Sequence, residues 1–229
     1  ALSHKGKHMI TTKIEHAAML STAKELEKEG YEFTFLNVDN EGFVDLTELE
    51  KSIRPDTILV SCMYANNEIG TIEPIKKIAE IAHAHGVLCH TDAVQAMGAM
   101  RINVRDSGVD MMSFSAHKFN GPKGMGALFI KTGVPVGRLI SGGHQERTRR
   151  GGTTNVPGVV GFAEALRLTY ETLDEDVKHV AALRDRFVKR VLEEVPYVKF
   201  NGPKDMTKRL PNNADFSFEY IEGESILFS

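Results

Sequence analysis

Lys118 stands in a stretch whose residue types could do chemistry: Ser113-Phe114-Ser115-Ala116-His117-Lys118-Phe119-Asn120-Gly121-Pro122-Lys123-Gly124. The short apolar run Met111, Met112 and Phe114 reads as the end of a buried strand. It delivers Ser115, His117 and Lys118 into a Gly/Pro-rich turn, where side chains can converge on a ligand. A lone loop lysine is ordinarily a solvated charge, so its chemistry depends on its company. A lysine amine reacts with a carbonyl only when neutral, and burial near another cation lowers its pKa towards working pH. The other candidates are His16, Asn67, Asp92 and Gln95, which offer an imidazole, a carboxylate and two amides.

The elements that must position these groups alternate. Strands are expected over His8–Thr12, Tyr31–Val38, Thr57–Met63, Val87–Thr91, Val109–Phe114 and Ala127–Lys131. Helices are expected over Ala17–Glu29, closed by Gly30, over Leu46–Ile53 behind the cap Asp45, and over Ile75–His85 between Pro74 and Gly86. Alternation of this kind predicts a three-layer α/β/α fold with a mainly parallel sheet and helices on both faces. Ligands on such sheets gather at the carboxyl ends of the strands. His16, Asn67, Asp92, Gln95, Ser115, His117 and Lys118 all fall at or just past predicted strand ends, so they read as one site.

From Pro157 to Val195 the pattern turns helical. Val160, Ala163, Leu166 and Tyr170 form one face and Val177, Val180, Leu183, Phe187 and Val191 a second, which predicts two packed helices separated at Asp174-Glu175-Asp176. A strand over Tyr197–Phe200, a polar loop and a strand over Ala214–Phe218 then begin a smaller α+β unit. The expected division is a large domain over residues 1–172, and an interdomain helix with part of a small domain over 173–229. The ends read as helical fragments, Ala1–Gly6 as the tail of one helix and Glu224–Ser229 as the start of another, which suggests a piece of a longer protein.

A chain of 229 residues, 41% hydrophobic and 26% charged, can bury a sizeable core. Its net charge of −3 and lack of basic runs argue against a nucleic-acid or anionic-membrane partner, leaving a small molecule as the expected ligand. Two cysteines, Cys62 and Cys89, lie in apolar strand-like runs without metal-ligand spacing, which points to buried thiols and a reducing, cytoplasmic compartment. No run has the apolar length of a membrane span, and the opening residues carry no signal-peptide pattern. His83 and His85 point to different sides of a helix end and favour its C-terminal dipole over a metal. Gly121 to Gly126 lacks the Lys-Ser/Thr pair of a phosphate loop.

Pyridoxal phosphate answers the candidate set residue by residue. Asp92 could pair with the protonated pyridine nitrogen and keep the ring an electron sink. Asn67 or Gln95 could hydrogen-bond the phenolate oxygen, and His16 could stack on the ring and move protons. Ser115 and His117 could donate to the phosphate, and Lys118 would supply the amine that bonds the cofactor's carbonyl carbon.

Six segments in order then carry a family resemblance. They are Glu15-His16, Asn66-Asn67-Glu68-Ile69-Gly70, Thr91-Asp92-Ala93-Val94-Gln95, Ser113-Phe114-Ser115-Ala116-His117-Lys118, Gly142-Gly143-His144-Gln145-Glu146 and Arg150-Gly151-Gly152-Thr153. The chain resembles the pyridoxal-phosphate-dependent cysteine desulfurases of the NifS/IscS type, in the class V aminotransferase superfamily of fold-type-I enzymes. The resemblance implies Lys118 as the cofactor-bonding lysine, His16 as the ring-stacking residue, Asp92 on the pyridine nitrogen and Gln95 on the phenolate. It implies Asn67 as a substrate-positioning residue, Ser115 and His117 as phosphate ligands, and Thr153 as a group reaching the phosphate of the neighbouring subunit in a homodimer. The implied reaction converts L-cysteine to L-alanine, with sulfur passed to an enzyme persulfide for an iron–sulfur scaffold or another sulfur acceptor. In that family the nucleophilic cysteine and the carboxylate-gripping arginine match positions beyond Ser229, and a phosphate-binding threonine matches one before Ala1. The chain as given is therefore expected not to turn over cysteine alone. Aminotransferases, selenocysteine lyases and kynureninases share the lysine and aspartate, and a non-catalytic cofactor-binding or partner-docking protein is the reading outside catalysis.

Overall fold

Five-residue apolar runs alternate with amphipathic helices and assemble into a sheet in the computed structural model, which describes residues 1–228. β1 (His8–Thr12), β2 (Glu32–Leu36), β3 (Thr57–Ser61), β4 (Leu88–Asp92) and β5 (Met111–Ser115) pair in parallel, and β6 (Gly126–Ile130) runs antiparallel along β5. The order is β2-β1-β3-β4-β5-β6. All five residues of β1 are buried, as a strand covered on both faces requires.

Helices α1 (Ala17–Lys28), α2 (Leu46–Ser52), α3 (Ile75–Ala84) and α4 (Val104–Ser107) connect the parallel strands, giving the expected three-layer α/β/α fold. α3 shows why the chain folds this way locally. Ile75, Ile78, Ala79 and Ala82 recur on one face and bury against Ile10, Val60, Cys89 and Met112 of the sheet. α2 starts where Asp45 Oδ1 accepts the N–H groups of Thr47 and Glu48.

Two buried histidines tie strands together across the sheet. His8 on β1 bonds Thr57 on β3 at 2.7 Å and Thr34 on β2 at 2.8 Å. His90 on β4 bonds Ser61 on β3 and Ser113 on β5, both at 2.8 Å, and burial lowers its pKa to about 4, so it is a neutral clasp. The clasp lies two residues before Asp92 and fixes the strand ends that carry the site.

Beyond β6 come α5 (Gln145–Thr148) and α6 (Val156–Glu194). The expected break at Asp174-Glu175-Asp176 is absent, and one 39-residue helix replaces the predicted pair. All three acidic side chains are exposed, Asp174 pairs with Arg101 at 2.9 Å, and no proline or glycine interrupts the turn. A cluster of solvated acids leaves the backbone hydrogen bonds of a helix intact. Residues 172 and 173 both lie inside this helix.

The last unit is an antiparallel pair, β7 (Val198–Phe200) and β8 (Phe216–Phe218), followed by α7 (Gly223–Leu227). Phe216 packs edge-on against Phe187 of α6 and tilted against Phe200. The predicted helix start at Glu224 falls within α7, while its last residue, Ser229, lies outside the described residues. Ala1–Gly6 is a turn, not a helix tail. Its backbone bond from Lys5 N–H to the Leu2 carbonyl spans three residues, which is too little to nucleate a helix.

Candidate active site

The carboxyl end of β5 runs directly into a 3-10 turn, Ala116–Phe119, which ends at Asn120 with φ of 63°. Ala116 and Phe119 are buried among Met97, Phe162, Leu166 and Tyr170, and these anchors leave His117 and Lys118 exposed. The Ala116 N–H donates to the Met125 carbonyl and the Gly121 N–H to the Ala116 carbonyl, closing the turn from both sides. Ser115 Oγ and His117 Nδ1 lie 2.7 Å apart, so hydroxyl and imidazole are already joined. Lys118 is exposed in the single chain, whereas the sequence argument asked for a buried amine.

One strand over, β4 ends at Asp92, which is in register with Ser113. Asp92 Oδ1 accepts the Val94 N–H at 2.9 Å, and Gln95 follows, half-buried in the same turn. Asp92, Ser115, His117 and Lys118 thus sit at the ends of two neighbouring strands.

The other half of the site forms at the ends of β1 and β3. His16 caps α1, its Nδ1 accepting the Ala18 N–H at 3.2 Å, a bond that requires the ring proton on Nε2 when the imidazole is neutral. Asn67 is exposed in the turn after β3. Its neighbour Asn66 is buried and organises that turn. Asn66 Oδ1 accepts the N–H groups of Glu68 and Ile69, and Nδ2 donates to the Ile14 carbonyl at 2.9 Å, tying the Asn67 turn to the segment that carries His16.

Glu15 makes a second tie. It is buried, and Oε1 accepts the Thr12 hydroxyl at 3.0 Å and the Met63 N–H at 2.7 Å, joining the ends of β1 and β3. Burial pushes its pKa up to about 7 against the pull of those two hydrogen bonds, with the Asp92 charge adding to the rise. Sequence reasoning gave neither Glu15 nor Asn66 a role. Their only signal was an acidic and an amide residue beside candidates at strand ends.

Thr153 stands apart. It is exposed between α5 and α6, and no hydrogen bond links it to the other candidates. His83 and His85 do not form a metal pair. His83 Nε2 meets Asp110 at 2.7 Å and His85 meets Glu50 at 3.6 Å, and no group of metal ligands occurs among the described residues. Cys62 and Cys89 are buried free thiols. Burial holds Cys62 well above the usual thiol range and pushes Cys89 up to about 12. A cavity of about 410 Å³ lies at the opposite, amino-terminal ends of β3 and β4, lined by Arg54, Thr57, His85 and Leu88. No helix among the described residues is long and apolar enough to cross a membrane.

The sequence model described as Aminotransferase class-V matches residues 1–228. The chain belongs to the class V aminotransferase family. Within that family it is 53% identical over 223 residues to the cysteine desulfurase IscS of Clostridium botulinum strain Hall, covering 97% of this chain and 56% of the relative. It is 52% identical over 227 residues to the cysteine desulfurase IscS of Dictyoglomus turgidum, covering 99% of this chain and 57% of the relative. Among solved structures, a NifS-like protein superposes with a TM-score of 0.93 at 42% identity, covering 98% of this chain and 61% of that one. DndA from Streptomyces lividans superposes with a TM-score of 0.86 at 33% identity, covering 99% and 63%. The chain therefore spans little more than half the length of the curated relatives it matches.

Class V aminotransferases use pyridoxal phosphate, and the donor set here fits it. Asp92 has one oxygen engaged by Val94 and a second for a positive ring nitrogen. The joined Ser115 and His117 suit a phosphate, and the exposed Lys118 amine stands on the same turn.

Proposed function

We propose that this chain forms the cofactor-binding part of a cysteine desulfurase, converting L-cysteine to L-alanine. The C–S bond of the substrate breaks, and its sulfur joins an enzyme thiol as a persulfide that supplies an iron–sulfur scaffold or another acceptor. The reading is supported by the convergence of Asp92, Ser115, His117 and Lys118 on adjacent strand ends, and by 53% identity to proteins named as cysteine desulfurases. Bound pyridoxal phosphate would supply an electron sink at the substrate α-carbon.

The chain's own residues divide the remaining tasks. Asp92 would hold the cofactor's positive ring nitrogen, Gln95 its phenolate oxygen, and Ser115 with His117 its phosphate. Lys118 attaches the cofactor and offers an amine that takes up or returns a proton. His16, with Nδ1 engaged by Ala18, would present Nε2 to the cofactor ring, and Asn67 would orient the substrate. Cys62 and Cys89 are unsuited as sulfur acceptors, because a buried thiol with a raised pKa supplies no thiolate. We assign the acceptor thiol to the complete protein outside residues 1–229. Residues 1–172 act as the large cofactor-binding domain, with α6 leading into a small domain. Two free buried thiols suit a reducing, cytoplasmic setting.

Absorption spectroscopy tests the assignment. The complete protein is expected to carry a band near the visible edge that borohydride removes, and to release sulfide from L-cysteine in the presence of a reductant. Lys118→Ala is expected to abolish both. Retention of the borohydride-sensitive band in Lys118→Ala would overturn the reading.

A further inference from the structure

Arg209, in the loop between β7 and β8, is only 2% exposed and belongs to none of the groups so far assigned to the site. A guanidinium that deep is costly unless its N–H groups find acceptors. Here Nε donates to the Pro203 carbonyl at 3.1 Å, one terminal nitrogen donates to the Asn201 carbonyl, and the other donates to Asn213 Oδ1. The guanidinium carbon lies 4.0 Å from the centroid of the Phe200 ring. Residues 201–213 are closed on themselves around this one side chain.

The closed loop is docked on the turn that carries Asn67. The Leu210 N–H donates to the Gly70 carbonyl at 2.8 Å, the Ile72 N–H donates to the Lys208 carbonyl at 2.9 Å, and Asn213 Nδ2 donates to the Glu68 carbonyl at 2.7 Å. Glycines mark how close the two segments come. A Cβ on Gly70, at φ of 78°, would strike the Asn213 side chain, and one on Gly202, at φ of 72°, would strike the Ile69 carbonyl. On the other flank of the turn, Asn66 holds the Ile14 carbonyl beside His16. From α6, Arg184 donates to the Leu210 carbonyl at 2.9 Å, which fastens the docked loop to the long helix as well.

The Asn213 amide has one oxygen and one NH₂ group, and Arg209 decides how they are used. A guanidinium only donates, so it takes the amide oxygen and turns the NH₂ towards the Glu68 carbonyl. We infer that Arg209, acting through Asn213, is a positioning residue for the Asn67 turn, setting from the second unit where Asn67 stands relative to His16. This inference rests on Asn67 as a substrate-orienting residue. Displacement of residues 201–213 then moves Asn67 while leaving Asp92, Ser115, His117 and Lys118 in place on β4 and β5.

The test uses the complete, cofactor-loaded protein with Asn213→Ala, Arg209→Lys, Asn67→Ala and the Asn67→Ala/Asn213→Ala double variant. Asn213→Ala deletes the bond to Glu68 together with the Oδ1 acceptor of Arg209, without leaving a bulky group behind. It is expected to raise KM for L-cysteine about five- to tenfold, the effect of the one hydrogen bond lost to the Asn67 turn, with kcat changed less than about threefold and the cofactor absorbance unchanged. Arg209→Lys should follow the same split. The double variant should be no worse than Asn67→Ala within about twofold, because both act through one group. Amide hydrogen exchange across residues 65–70 should accelerate about tenfold in Asn213→Ala. A lowered melting temperature and lost cofactor absorbance with KM unmoved would reduce Arg209 to a purely structural part and overturn the inference, as would multiplying effects in the double variant. If Asn67→Ala itself leaves KM unchanged, the reading of Asn67 fails, and the exchange measurement alone still decides whether Asn213 holds the turn.

Discussion

Three buried titratable residues near the strand ends set how stability responds to pH. Glu15 has its pKa raised from 4.5 to about 7 and Glu73 from 4.5 to about 8, each mainly by burial. One oxygen of each, Glu15 Oε2 and Glu73 Oε1, is buried without a hydrogen-bond partner. In the fold Glu15 stays protonated up to about pH 7 and Glu73 up to about pH 8, whereas both ionise at lower pH when unfolded. The folded state therefore binds more protons from pH 4.5 upwards, and stability falls until about pH 7 for Glu15 and about pH 8 for Glu73. His90 acts in the opposite sense. With its pKa lowered from 6.5 to about 4, it stays neutral when folded, so the unfolded chain takes up protons first and stability rises with pH through that window. His90, one group against two carboxyls, offsets part of the decline below pH 6.5, and His8, whose pKa burial also lowers, acts in the same sense, while the carboxyls act alone above it. Glu15→Gln, which keeps an acceptor for Met63 and Thr12 but cannot ionise, should remove on the order of 3 kcal/mol of the decline between about pH 5 and pH 8. Urea midpoints measured across that range check this. A decline identical to that of the parent protein would mean that Glu15 is ionised in the fold.

At the scale of elements, α6 joins two packing environments with one backbone. Its first half brings Phe162, Ala165, Leu166 and Tyr170 against the turn bearing Lys118, and Phe187 in its second half meets Phe216 of β8. Leu173, 1% exposed, is buried just before the acidic cluster. The helix therefore links the turn bearing Lys118 to the second unit, with Phe162 and Phe187 about 38 Å apart along it at 1.5 Å per residue. Glu175→Pro distinguishes this from a pair of helices meeting at the acids. In a continuous helix the proline removes a backbone bond and clashes with the preceding turn, costing about 3 kcal/mol or more. At a joint between two helices it would be tolerated. Denaturation monitored by circular dichroism gives the answer, with Glu175→Ala as the neutral comparison.

For the whole molecule, the order β2-β1-β3-β4-β5-β6 puts the reversal of strand order between β1 and β3, which themselves run parallel. That crevice is where open α/β sheets bind ligands, and here it is bridged by Glu15 to Met63 and by Asn66 to Ile14. His16 and Asn67 come from this crevice, while Asp92 and Lys118 come from the next two strands. Thr153 is exposed and makes no hydrogen bond to these residues, and we propose that it completes the site of a second copy. Mixing complete Lys118→Ala with complete Thr153→Ala protein under exchange conditions should generate mixed dimers with one intact site. Cofactor affinity and sulfide release are expected to recover above those of either variant alone. No recovery once subunit exchange is demonstrated would count against a shared site.

Much of the architecture was legible because it depends on local periodicity. The alternating strands, the α3 face of Ile75, Ile78, Ala79 and Ala82, and the Asp45 cap follow from side-chain spacing and backbone hydrogen bonding. The same periodicity misread residues 174–176, because an acidic cluster looks like a break in a linear pattern but is merely a solvated face in three dimensions. By itself the sequence determined the parallel α/β class, the strand-end location of His16, Asn67, Asp92, Gln95, Ser115, His117 and Lys118, and the family. Only the tertiary structure decided that Glu15 and Asn66 bind the site together, that Lys118 is exposed and that Arg209 reaches the Asn67 turn. Those outcomes depend on contacts between residues up to 145 positions apart, such as Asn213 with Glu68. Burial of a carboxyl or a guanidinium is a property of what folds over it, and no local pattern of residue types encodes that.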